Sequence, residues 1–97
     1  METVEVNRDF ESMLISAERY ACGRRSYIVS DCVNYITAML PKLSDWCVRV
    51  LAFDLKSSFE QADRAHKPEY LGDKCDQDAW KRMLAILTDE IERRNAL

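Results

Sequence analysis

The chain has only two glycines and two prolines in 97 residues, which argues against an all-β domain, since such folds need a turn about every 8–12 residues. With only Gly23 and Gly72 to work with, neither a P-loop nor a dinucleotide-binding loop can be built, because both cradle phosphate with several closely spaced glycines. A single histidine, His66, is the one base available for a Cys-His or Ser-His pair, and it lies in a polar stretch with no nucleophile signature beside it. No apolar run reaches the ~18 residues that would cross a bilayer. Nor is there an excess of positive charge. The net charge is −3, which disfavours nucleic-acid binding driven by bulk charge. The opening METVEV has no basic start and no apolar stretch of the kind a secretory signal needs. A cytoplasmic location with four reduced thiols (Cys22, Cys32, Cys47 and Cys75) is therefore expected.

What remains is an ordinary globular composition, 47% hydrophobic and 32% charged, in a chain long enough for one core without staples. Its apolar residues recur with helical period. Asn7 is a predicted N-cap, followed by Phe10, Met13, Leu14, Ala17 and Ala21 on one face, with Glu11 and Glu18 away from it. Gly23 ends this helix near Cys22. Ser26 opens a second, with Ile28, Val29, Cys32, Val33, Ile36, Ala38 and Leu40 inward and Pro41 closing it. Its β-branched residues weaken helix propensity, so packing must hold it. Ser44 caps a third helix, in which Trp46, Cys47, Val50, Leu51, Phe53, Leu55 and Phe59 cover much of the circumference. Residues 66–75 read as the longest irregular segment. Asp76 is the expected cap of a fourth helix with Trp80, Met83, Leu84, Leu87 and Ile91 on one side. The expectation is an all-α, compact single domain of about four helices spanning 1–97, with 1–6 a frayed tail.

The candidate binding residues are Arg24, Arg25, Ser26 and Tyr27. A helix start preceded by paired arginines offers backbone donors and bidentate guanidiniums to an anion, with an aromatic face for stacking. The same residues also make an ordinary helix–helix turn with solvated arginines. The acids and thiol around 63–78 match no metal-ligand spacing, and no metal or cofactor is expected. Trp46 and Trp80 read as core anchors. Apolar residues on two faces of the third helix predict a homodimer or a docking surface for a partner.

The stretch Glu18-Arg19-Tyr20-Ala21-Cys22-Gly23-Arg24-Arg25-Ser26-Tyr27-Ile28-Val29, together with Gly72-Asp73-Lys74-Cys75-Asp76 and Trp80, resembles a group of small bacteriophage and prophage proteins. These share an Arg-Tyr-Ala-x-Gly-Arg-Arg-Ser/Thr-Tyr-Ile stretch and a later Gly-Asp-x-Cys-Asp element followed by Trp. Cys22 departs from the pattern, where leucine is expected. The resemblance implies a phage context and carries over no catalytic residues. Within that context the expected function is non-enzymatic: contact with a host protein, such as a CRISPR effector, that blocks an antiviral defence. Two alternatives stand beside it. One is sequestration of a phosphorylated nucleotide signal by Arg24, Arg25 and Tyr27; the other is a helix-turn-helix regulator.

Overall fold

The computed structural model describes residues 6–22 and 26–96, the side chains of Ser26 and Tyr27 excepted. Four α-helices account for most of them: α1 (Arg8–Ala21), α2 (Ser26–Met39), α3 (Asp45–Arg64) and α4 (Lys74–Asn95). Short 3-10 turns at Leu40–Lys42 and Pro68–Leu71 join α2 to α3 and α3 to α4. The described residues contain no strand. The domain is all-α, as the periodicity predicts.

Each helix start that is described has a local cause. Asn7 Oδ1 accepts the Phe10 N–H at 3.0 Å, and Ser44 Oγ accepts the Cys47 N–H at 3.2 Å; both satisfy a first-turn amide that has no partner inside the helix. At α4 the cap is Asp73 rather than the expected Asp76. Asp73 Oδ1 accepts the Asp76 N–H at 2.9 Å, while Asp76 Oδ2 accepts the Asp73 N–H at 3.1 Å. This reciprocal pair is a capping box, so Asp76 sits three residues inside the helix.

α1 packs on α2 and α3, and α4 packs on the same two, so the helices form a ring. The molecule measures 40 × 33 × 19 Å, its least dimension being about two helix diameters. α1 and α3 run the same way, because Arg8 meets Trp46 at one end and Arg19 meets Asp54 further along. α3 and α4 run oppositely, since Arg94 near the end of α4 reaches Asp45 at the start of α3. Val29, Val33, Ile36, Cys47, Val48, Leu51, Leu55, Trp80, Met83 and Leu87 fill the centre with almost no exposure. The β-branched residues of α2 are thus held by packing, which outweighs their weak propensity. Arg94 stitches the link between α2 and α3. Its guanidinium donates to the Leu40 carbonyl at 3.0 Å, the Leu43 carbonyl at 2.8 Å, Asp45 Oδ1 at 2.8 Å and Glu90 Oε2 at 2.6 Å.

Three further expectations are corrected, and Ala38, expected inward on α2, is exposed. On α1 the buried face is Glu11, Leu14, Ile15, Glu18 and Ala21, while Met13 and Ala17 are exposed. Counting Ile15 with Leu14 turns the inward stripe toward both glutamates. Trp46 is no core anchor: it is exposed, and the Arg8 guanidinium lies 3.7 Å above its ring. Residues 66–75 are not an irregular loop. His66 takes a left-handed conformation (φ 53°), its N–H donating to the Asp63 carbonyl at 3.1 Å and that of Lys67 to the Ala62 carbonyl at 2.9 Å. These two bonds form a Schellman stop, and the 3-10 turn beginning at Pro68 follows. At Gly72 (φ 94°) an added Cβ would collide with the Asp76 side chain, so only glycine fits there.

Candidate functional site

The expected Arg24-Arg25-Ser26-Tyr27 corner lies largely outside the described residues. The backbone of Ser26 and Tyr27 opens α2; Arg24, Arg25 and the side chains of Ser26 and Tyr27 are not described. Three other places gather chemistry, and of these the sequence pointed only to the third helix, as an apolar surface for a partner or a second copy.

The first is the junction of α1 with α3. Glu18 is buried, and neither carboxyl oxygen has a hydrogen-bond partner. Burial, followed by repulsion from Asp54, pushes its pKa up to about 9, against a smaller opposing pull from Arg19. At neutral pH this side chain is an uncharged carboxylic acid. Above it, Arg19 Nε donates to Asp54 Oδ2 at 2.7 Å. Burial, and secondarily the nearby Glu18, pushes the Cys22 thiol up to about 12 and the Cys32 thiol up to about 11. Such thiols are poor nucleophiles, because the thiolate is the reactive form. The cluster is built to stay protonated. Among the described residues no group of His, Cys, Asp or Glu is placed to hold a metal ion.

The second is the outer face of α3. Trp46, Val50 and Phe53 follow one another at helical spacing, and Phe53 is 69% exposed. An apolar stripe of this kind on a solvent face is unusual for a residue type that prefers the core. Arg8 stacked on Trp46 adds a cation beside the aromatic surface. The prediction of apolar residues on two faces of this helix thus has a structural counterpart. Cys47, Val48, Leu51 and Leu55 face inward, and Trp46 and Phe53 face outward.

The third is a groove of about 580 Å³ where α3 ends and α4 begins. Phe59, Ala62, Pro68 and Leu71 line it with apolar surface, and Glu60, Asp63, His66, Gln77 and Lys81 add polar groups. The sequence marked His66 only as an exposed loop residue. No local signal reveals that the Schellman stop turns it into a wall of a groove. No helix among the described residues is long and apolar enough to cross a membrane. Compared with protein families, curated proteins and solved structures, the chain matches none.

Proposed function

We propose that this chain is a non-enzymatic protein-binding module that docks the outer face of α3 on a host antiviral effector, the phage setting being the one its sequence resemblance implies. The observation that carries the docking reading is the exposed pair Trp46 and Phe53, with the half-buried Val50 between them and Arg8 against Trp46. Trp and Arg are enriched among residues that dominate binding energy, and a central aromatic anchor flanked by a cation is a common form of such a surface. A helix-turn-helix reading fits less well. A recognition helix presents its N-terminal turn to base edges, whereas the N-terminus of α3 is occupied by the Glu11 carboxylate and flanked by Asp45.

The test is capture from host lysate with the wild type and with a Trp46→Ser/Phe53→Ser variant, each checked for its melting temperature. Phe53 is 69% and Trp46 37% exposed, so the variant should keep the fold with a modest loss of melting temperature from the Arg8–Trp46 contact, yet lose the captured effector and the protection it confers on phage. Undiminished capture by a folded variant would overturn the assignment of this face. Light scattering on the same samples separates a foreign partner from a second copy of the chain. A rise in melting temperature with a phosphorylated nucleotide would instead support the sequestration reading, since ligand binding stabilises by mass action.

A further inference from the structure

We propose that the groove between the end of α3 and the start of α4 is a second binding site, which takes a partner segment carrying an apolar side chain next to a lysine or arginine. The floor gives the apolar part of this specificity. Ala62 and Leu71 are buried beneath it, with Phe59 half-buried at its side. A volume of about 580 Å³ falls within the range of small-ligand pockets and accommodates an inserted side chain with its flanking backbone.

Charge gives the rest. Glu60 and Asp63 lie one turn apart on α3, and Lys81 lies on the α4 wall. A cation in the groove is drawn to the α3 side and repelled from the α4 side, so a basic–apolar segment enters in one orientation. Among the described residues, none of these three side chains takes part in a hydrogen bond or ion pair within the protein. They are available to an incoming group without first breaking an internal contact.

The walls are held in place before anything binds. The Schellman stop fixes the end of α3, Pro68 starts the 3-10 turn, and the capping box fixes the start of α4. Gln77 Nε2 donates to the Gly72 carbonyl at 3.0 Å, tying the turn to α4. A pre-formed groove loses little ordering entropy on binding. His66 stands where glycine is the low-energy choice, because its φ of 53° is left-handed. His66 lines the groove, and a side chain at this position adds surface to the wall that glycine would lack.

The test is an amide ¹H–¹⁵N titration of the full chain with the capped tripeptide Lys-Phe-Gln amide, with Glu-Phe-Gln amide as control. The expected result is shifts confined to the groove, at Phe59, Ala62, His66, Leu71, Gln77 and Lys81, produced by the lysine peptide and not by its control. A Glu60→Lys/Asp63→Lys variant should bind that peptide at least about tenfold more weakly and melt no earlier, since cations suit the last turn of α3. Equal shifts with both peptides, no shifts, or shifts on the Trp46 and Phe53 face would each overturn the proposal. Because the readout is residue by residue, failure here leaves the α3 docking face untouched, and failure there leaves the groove untouched.

Discussion

Glu11 on α1 binds the first turn of α3 through Ser44: its Oε2 accepts the Ser44 N–H at 2.6 Å and its Oε1 accepts the Ser44 hydroxyl at 2.7 Å. One residue thereby caps a helix to which it does not belong, and Ser44 passes the contact on by accepting the Cys47 N–H. The carboxylate also sits at the positive end of the α3 dipole. Glu11→Ala should cost about 2–3 kcal/mol, in the range of hydrogen bonds to a charged group, and Ser44→Ala about 1 kcal/mol. The double variant should lose less than the sum, because each change removes part of the same network. Urea unfolding of the three variants measures this. Simple additivity would mean that the two residues act independently.

Glu18 predicts a stability that falls with rising pH. Its folded-state pKa of about 9 lies above the unfolded value of 4.5, so between these values the folded chain holds a proton that the unfolded chain releases. Stability is fully present below 4.5 and declines toward 9, with a slope of up to ~1.4 kcal/mol per pH unit. Glu90 acts in the opposite window. Hydrogen bonds from Arg93 and Arg94 hold its pKa down to about 2, so its contribution is lost as pH drops from 4.5 toward 2. Glu18→Gln keeps the shape and removes the titration. Unfolding curves at pH 5, 6.5 and 8 should converge at pH 5, with the variant more stable at pH 8. Parallel curves would show that the Glu18 carboxyl finds a partner in solution.

Arg94 should be intolerant even of lysine. It is only 15% exposed along its side chain and makes bonds to two backbone carbonyls and two carboxylates at once. A planar guanidinium spans these acceptors, and an ammonium cannot. Arg94→Ala should cost about 2–3 kcal/mol, in the range for losing hydrogen bonds to charged groups, since the network is only part-buried and Asp45 is 73% exposed. Arg94→Lys should recover less than half of that loss, and full recovery would reduce the role of Arg94 to its charge.

Thiol alkylation should single out one cysteine. Cys75 is exposed, whereas burial pushes Cys22, Cys32 and Cys47 up to about 12, 11 and 12. Iodoacetamide at neutral pH should add one adduct to the native protein, at Cys75, and four after unfolding in urea. Mass spectrometry reads both, and rapid modification of a second cysteine would mean that its cover opens locally.

Helix ends were largely legible in the sequence because capping is local. Asn7 and Ser44 act within one turn of their own helix. The cap of α4 was misplaced by one local step, since Asp73 and Asp76 are both competent and only their mutual bonding decides. Charged burial was not legible. Glu11 and Glu18 are ordinary surface residues by type, and what draws Glu11 inward is the start of α3, 33 residues along the chain. Trp46 errs the other way: its size argues for the core, but its place in the first turn of α3 leaves it outside, against Arg8. The groove was invisible for the same reason, since it exists only once α3 and α4 meet.

His66 separates stability from binding in one substitution. At the left-handed position that ends α3, a residue with a Cβ carries a conformational penalty of about 1 kcal/mol relative to glycine. The stop itself is made by backbone groups, the N–H of His66 and of Lys67, so glycine preserves it. His66→Gly should therefore raise the melting temperature by about 4–8 °C, the shift that ~1 kcal/mol produces in a domain of this size. The same change removes the side chain of a groove-lining residue, so binding of the Lys-Phe-Gln peptide should weaken while the fold strengthens. His66→Ala distinguishes the two effects, because it removes the imidazole but keeps the left-handed strain. It should bind as weakly as the glycine variant and melt no later than wild type. If His66→Gly binds the peptide as well as wild type does, the imidazole has no part in the groove and its strain needs another explanation.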